Sequence, residues 1–540
     1  MLFVKKIAAR LTTAPAIFHI LLISQLIIIL ILLFRPFMLT PPGHVYTIIE
    51  RNFFYPNLIL QGKDGAWKIL DTHTTLFSPH IFAYTFFILL GKLAAIGRFE
   101  PVWVYVWARI FMGIFVFYAT LWLIYTLLPK AVRSLAILLA LGIETGPILS
   151  ELPRYTTLIE QRIMILRHFD LPHHLFAEAT GIIFVGFLLL SAQKLTARRI
   201  VTMTLAGILS TVTMPSYTFT FALCAFPSWV IWSVLHKNFR KLLPVLAVAC
   251  AAIILPNLIF AVEFAKGPPW TNSTPNEKTW HTTPFIRTEY ISQLLFYVPF
   301  IILFLLLLPY MWRTWDSFRK QVIILMASWL IGPMLWVAAA KTDWFPMPNR
   351  RLTDGYQFLP AGILAAVTIH FIMTRFSKKE LRNIVGIFLL AIVFIPSLFF
   401  TQYFTKNLFV AQETSDIHIY PTREVWDGIM FTKTFPRGSG ILIREQFGES
   451  IPAFADVRVY VGGIHNYPDW LDRQAQAAHF FSGRMTDEEA GIFLKNSDIS
   501  YVFYGPDEKT VNETGDLYPN ILQSIFSNSD VTIFRIKNSQ

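Results

Sequence analysis

Three carboxylates, Glu50, Asp64 and Asp71, and one imidazole, His73, share a single stretch, ERNFFYPNLILQGKDGAWKILDTHTT (50–75). A carboxylate at a membrane surface can take the proton from an acceptor hydroxyl as general base, and a neighbouring imidazole can hold a hydroxyl or a phosphate. Phe53, Phe54, Tyr55 and Trp67 lie among them and suit a segment lying along a bilayer interface. A second group, RHFDLPHH (167–174), places His168, Asp170, His173 and His174 together. Histidine and carboxylate ligate divalent metals, which makes His168, Asp170 and His174 candidate ligands. The spacing matches no strong metal signature, and Pro172 prevents a simple i, i+4 helical pair. Contact of His168 and His173 with a sugar or headgroup is the other use. A third group is PMPNRRLTDGYQFLPAG (346–362), with Arg350, Arg351 and Tyr356. The guanidinium fork suits bidentate phosphate binding. Arg109, in VYVWARIFMG (104–113), is an arginine inside an apolar run, suited to an acidic partner or a substrate phosphate. Glu144 and Glu178 also sit at membrane depth, where ionisable groups are costly and tend to serve function.

The elements that must position these groups cross a membrane. Of the 540 residues, 54% are hydrophobic and only 15% charged, against roughly 25% charged in soluble domains. Several apolar runs reach about 18 residues, enough to cross about 30 Å of hydrocarbon. The net charge of +12 would suggest nucleic acid in a soluble chain. Here most basic residues fall in short loops, which the positive-inside rule explains without such a partner. Cys224 and Cys250 both lie in apolar segments and read as small hydrophobes.

Six basic clusters, from Lys5/Lys6/Arg10 to Arg375/Lys378/Lys379/Arg382, assign the cytoplasmic side. An even number of crossings between neighbouring clusters then gives about eleven spans. The N-terminus is inside and the C-terminus outside. Residues 81–97 are too short for a span and carry Lys92, so they are read as juxtamembrane or re-entrant. Two apolar arms in 200–235 meet at Thr213-Met214-Pro215-Ser216. The polar stretches 38–80, 151–174, 263–290 and 341–355 face outward. The expected organisation is a transmembrane domain, 1–404, with outer loop 38–80, and an extracytoplasmic α/β domain, 405–540. In that tail the runs 439–445, 457–463, 499–505 and 531–536 read as strands. Helical patterns at 469–481 and 486–496 alternate with them, which predicts a largely parallel sheet. Thr486 followed by Glu489 predicts a helix start.

Several of these stretches resemble the GT-C superfamily of integral membrane glycosyltransferases, in its bacterial polyprenyl-phosphate-sugar-dependent form. The resemblance rests on QGKDGAW (61–67), DTHTT (71–75), SPHIFAYTFFILLGK (78–92), VYVWARIFMGIF (104–115), RHFDLPHHLFAEATG (167–181) and NRRLTDGYQFLPAGILAA (349–366). In the tail it rests on IPAFADVRVYVGG (451–463), HFFSGRM (479–485) and ISYVFYGPDE (499–508). It implies a polytopic α-helical fold with an outer tail domain, in the bacterial plasma membrane. It also implies inverting transfer of a sugar from a polyprenyl-phosphate donor to a glycan, lipid or protein acceptor. No cofactor is required by it, although a divalent metal is compatible. Relatives usually carry an aspartate about ten residues before the QG step, where this chain has Arg51 with Glu50 beside it and Asn57 further on. Glu50, Asp64 and Asp71 are therefore the catalytic candidates, with His73, Arg109, His168, His173, Arg350, Arg351 and Tyr356 for substrate. Two other readings stay open at this point. A sugar-lipid transporter would show paired repeats and midplane polar groups, which the sequence does not display; a non-catalytic envelope scaffold would need no acid at all.

Overall fold

The computed structural model describes residues 15–47, 53–142, 171–235, 239–272, 294–339, 357–411, 419–462, 469–515 and 517–537. In chain order the helices before the tail are α1 (Ala16–Leu39), α2 (Phe54–Lys63), α3 (Thr85–Gly97), α4 (Pro101–Leu127), α5 (Lys130–Leu141), α6 (Pro172–Gln193) and α7 (Ala197–Thr213). They continue with α8 (Pro215–Leu235), α9 (Phe239–Phe264), α10 (Val298–Thr314), α11 (Ser317–Ala339), α12 (Phe358–Met373) and α13 (Lys379–Ala411). The tail runs α14 (Arg423–Phe431), β1 (Ser439–Leu442), α15 (Glu445–Gly448), α16 (Ile451–Phe454), β2 (Val457–Val459), α17 (Trp470–Phe481) and α18 (Asp487–Asn496). It ends with β3 (Tyr501–Tyr504), α19 (Pro506–Lys509), β4 (Leu522–Ser527) and β5 (Thr532–Ile536).

Long apolar runs become helices because a helix satisfies every interior N–H and C=O within the segment, as a lipid environment demands. Proline marks the starts. Pro172 occupies the first turn of α6, where its missing N–H costs nothing. Pro215 opens α8 directly after α7 closes at Thr213, at the junction the sequence predicts. Among the described residues five helical stretches are long and apolar enough to cross a bilayer: Ala16–Leu39, Pro101–Leu127, Pro172–Gln193, Leu243–Phe264 and Lys379–Leu398. The protein is thus a mostly helical membrane protein. Helix α3, with 13 residues, is about 20 Å long at 1.5 Å per residue, short of a bilayer core. Its Leu89, Leu93 and Ile96 are exposed.

The chain divides into two compact units. One comprises Met1–Leu32, Arg109–Asn257 and Lys278–Ala411; the other comprises Leu33–Ala108, Leu258–Glu277 and Gln412–Gln540. The first is a helical bundle whose core includes Phe117, Leu123, Phe184, Phe221, Trp329 and Phe358. Its helices approach closely at small residues. A Cβ on Gly362 of α12 would lie 2.7 Å from the Ala140 Cα of α5. The last turn of α5 leaves carbonyls without intrahelical partners. Tyr297 Oη donates to the Leu139 carbonyl at 2.5 Å, and Gln25 Nε2 donates to that of Leu141 at 3.1 Å.

The second unit is built on a five-stranded sheet in the order β2-β1-β3-β5-β4. Strands β1, β2 and β3 are parallel, while β5 runs antiparallel to both β3 and β4. The sheet is therefore mixed, not largely parallel as the sequence pattern suggests. The reason is β4, which the pattern misses. It is mostly exposed along its length, so it carries little apolar signal. It is also joined to β5 by only a few residues, a link that permits a hairpin but not a parallel crossover. Thr486 caps α18 as expected: its hydroxyl accepts the Glu489 N–H at 3.2 Å, while Glu489 accepts the Thr486 N–H at 2.8 Å.

Candidate active site

The segment after α1 and the tail belong to the same unit, and Asp71 and His73 lie at their joint. After α2 the chain runs extended along the tail. The Thr72 carbonyl accepts the Val459 N–H of β2 at 3.0 Å. Arg458 Nη1 donates to the Thr75 carbonyl at 2.8 Å. Arg473 Nη1, on α17, donates to Thr74 Oγ1 at 2.8 Å. Thr72, Thr74 and Thr75 are all buried. The DTHTT step is thus an irregular polar segment docked by these bonds against the β2 edge of the sheet.

Asp71 and His73 sit within this step, both buried. Asp71 Oδ1 accepts the His73 N–H at 2.9 Å, a local Asx-type turn. The same oxygen lies 3.4 Å from His73 Nδ1. On the far side of the ring, Nε2 is 3.4 Å from the Glu449 carbonyl of the tail. Phe54 of α2 flanks the imidazole, with ring centroids 5.7 Å apart. Gly462 has no side chain where the His73 backbone passes; a Cβ there would lie 3.0 Å from His73 Cα. Burial alone would lower the His73 pKa. The hydrogen bond and charge of Asp71, followed by the charge and carbonyl of Glu449, outweigh it and raise the value above the ordinary 6.5. The arrangement is a buried Asp71–His73 pair in which the neighbouring carboxyl group favours the protonated imidazole.

Asp64 differs. It is exposed at the end of α2, and Arg437 Nη2 lies 3.4 Å from it, with the Arg437 side chain 70% exposed. Such pairs contribute about 0–1 kcal/mol and are well screened. Of the remaining candidates, His173 and His174 lie in the first turn of α6 with ring centroids 4.3 Å apart. Arg109 is half-buried on α4, and Glu178 is buried on α6. Glu50, Glu144, His168, Asp170, Arg350, Arg351 and Tyr356 lie outside the described residues. Among the described residues no three His, Cys, Asp or Glu side chains are grouped to hold a metal ion.

Three polar residues that the sequence does not single out hold this site: Glu449, Arg458 and Arg473. Each is separated from its partner in the first segment by more than 370 positions, so no local pattern marks them.

No protein-family model matches the sequence, and none of the curated proteins does. Solved structures do match. ArnT from Cupriavidus metallidurans, in a crystal structure bound to undecaprenyl phosphate, aligns over 95% of this chain and 97% of its own, with 10% identity and a TM-score of 0.50. The apo oligosaccharyltransferase of Archaeoglobus fulgidus aligns over 96% of this chain and 74% of its own, at 14% identity and a TM-score of 0.48. The same enzyme in complex with Zn and sulfate aligns at 13% identity and 0.44. The chain thus shares the fold of ArnT along nearly the whole of both chains.

Proposed function

We propose that this chain is a membrane glycosyltransferase that moves a sugar from a polyprenyl-phosphate donor to an envelope glycan, lipid or protein at the outer face of the bacterial plasma membrane. The single observation that carries this reading is the GT-C fold, matched to ArnT along nearly the whole of both chains. Its transmembrane domain, 1–404, supplies about eleven spans with the N-terminus inside; the α/β domain, 405–540, lies outside.

The reaction is a displacement at the anomeric carbon. The acceptor oxygen attacks from the face opposite the phosphate, the bond from the anomeric carbon to the phosphate oxygen breaks, and polyprenyl phosphate leaves with the electron pair. The configuration inverts. A carboxylate of the first outer loop takes the hydroxyl proton. Glu50 is our preferred base. Asp71 is the second candidate, because it is the described acid of this loop that is buried, and it faces His73. Asp64 has the weakest claim, exposed beside Arg437. Arg350 and Arg351, with Tyr356, Arg109, His168 and His173, hold the donor phosphate and sugar. His168, Asp170 and His174 are the candidate ligands should a divalent ion take part.

The test is transfer from a radiolabelled polyprenyl-phosphate sugar by the purified chain in lipid nanodiscs. Glu50→Gln is expected to abolish transfer, by about 10²-fold or more for loss of a general base. Full activity in Glu50→Gln removes it as the base. No transfer from any polyprenyl-phosphate sugar by the native chain, with lipid-linked sugar crossing the bilayer instead, replaces the transferase reading by a transporter one.

A further inference from the structure

Asp71 is flanked by two residues whose backbone or side chain is held by one face of α2. Asn57 and Gln61 are four apart on that helix, the spacing at which side chains meet. Gln61 Nε2 donates to Asn57 Oδ1 at 2.8 Å and to the Leu70 carbonyl at 2.9 Å. Gln61 Oε1 accepts the Leu70 N–H at 2.9 Å. One side-chain amide therefore takes both polar groups of the residue before Asp71, as a neighbouring strand would. Asn57 Oδ1 also accepts the Thr72 hydroxyl at 3.0 Å, which holds the residue after Asp71. Asn57 Nδ2 donates to the Pro452 carbonyl of the tail at 2.6 Å. Asn57 is itself only 1% exposed.

We infer that Asn57 and Gln61 are positioning residues: through this ladder of amides they hold the Leu70 backbone before Asp71 and the Thr72 hydroxyl after it, and so aim the Asp71–His73 pair. The inference rests on the proposed reading that this pair serves sugar transfer. The chemistry requires amides in particular. Each must donate and accept at once, which neither a carboxylate nor a hydrocarbon of the same shape can do. The ladder also accounts for an otherwise costly arrangement, a polar face of α2 turned inward, because the buried Asn57 and the half-buried Gln61 are each placed between partners. Reacting groups need placement to within about half an ångström, and a loop held only by its ends does not give that.

The test uses the full-length chain in nanodiscs with Gln61→Leu, Gln61→Glu and Asp71→Asn. Turnover of a radiolabelled polyprenyl-phosphate sugar is split into kcat and KM. The His73 titration is followed by NMR of histidine-labelled protein, its signal identified by loss in His73→Gln. Gln61→Leu is expected to lower kcat at least tenfold, to leave the donor KM within twofold, and to move the His73 titration down towards the ordinary histidine value. Gln61→Glu keeps the acceptor for the Leu70 N–H and is expected to recover part of both. A folded Gln61→Leu with native kcat and native His73 titration overturns the inference. A loss of turnover that only tracks the folded fraction, with His73 unmoved, overturns it too. If Gln61→Leu does not fold, Thr72→Val, which removes one hydroxyl from the same ladder, is read in the same way. Full transfer by Asp71→Asn, with His73 still displaced in Gln61→Leu, refutes the role of Asp71 in transfer and leaves the positioning intact. Loss of transfer in Asp71→Asn with Gln61→Leu silent refutes the positioning alone.

Discussion

In the helical unit, hydroxyls and amides mostly serve the backbone of their own or a neighbouring helix. Thr180 donates to the Phe176 carbonyl, Thr211 to that of Gly207 and Thr368 to that of Leu364. Tyr297 and Gln25 close the end of α5. Tight packing comes from glycines such as Gly362, as is usual where lipid removes the hydrophobic drive between helices. The sheet-bearing unit uses glycine in the same way: a Cβ on Gly91 of α3 would lie 2.3 Å from the Ile59 carbonyl of α2. There the first segment and the tail are also joined by long-range side-chain bonds made by Asn57, His73, Arg458 and Arg473, beside backbone bonds such as that from the Val459 N–H to the Thr72 carbonyl. One unit thus relies on close helix packing, while the other adds polar matching over long sequence separations to its own apolar cores.

Within the sheet-bearing unit the largest expected effect contrasts two acids. Asp71→Asn removes the partner that orients His73 and should lower sugar transfer by about tenfold or more, whereas Asp64→Asn should leave it within twofold. Equal losses in the transfer assay would erase the distinction between the buried and the exposed acid.

Next comes pH. Glu508 is fully buried. Its carboxylate accepts the Arg444 N–H at 2.8 Å and the Gly505 N–H at 3.0 Å, clasping the ends of β1 and β3. Burial outweighs these donors and pushes its pKa up to about 7. A folded value above the unfolded one means the folded state binds the extra proton, so stability falls as pH rises from about 4.5 to 7. That loss is on the order of 3 kcal/mol. His73 acts in the same direction, since its raised value makes the Asp71 bond weaken as pH rises through the folded pKa. Hydrogen-exchange protection of the Arg444 and Gly505 amides should decline across this window in the native chain. In Glu508→Gln it should decline less, and a native-like decline there would assign the effect elsewhere.

Glycine substitutions test the shared device. Gly362→Ala and Gly91→Ala should each cost about 1–3 kcal/mol by forcing backbones apart, read as lowered thermal stability in detergent. Gly91→Ala should in addition reduce transfer, because α2 carries Asn57 and Gln61; equal transfer by both variants at equal stability would deny that link. The smallest effect is expected at Arg484 and Glu513, paired at 2.6 Å but both more than half exposed. Arg484→Ala should shift stability by less than about 0.5 kcal/mol, and a larger shift would mean that this edge of the tail matters to the unit.

Much of the fold was legible because apolar period and turn chemistry are local. The junction at Thr213–Pro215, the capping box at Thr486 and four of the five strands could be read from their own neighbourhoods. Strand β4 could not, since this edge strand, LQSIFS, shows no regular alternation of apolar and polar residues to announce it. The candidate site was legible only in part. Asp71 and His73 were visible as chemistry in an unusual stretch, and so was Asp64. That Asp71 is buried and Asp64 is not depended on residues far away in the chain.

The sequence by itself determined that this chain has runs apolar enough to cross a membrane and which reactive residue types it places between them. Those properties follow from composition and spacing within short windows. Only the tertiary structure decided that the DTHTT step lies against β2, that the His73 ring reaches Glu449, and that Asn57 and Gln61 turn inward to hold Leu70 and Thr72. A buried polar group must find its partner wherever the fold supplies one, and local sequence carries no record of a partner hundreds of residues away.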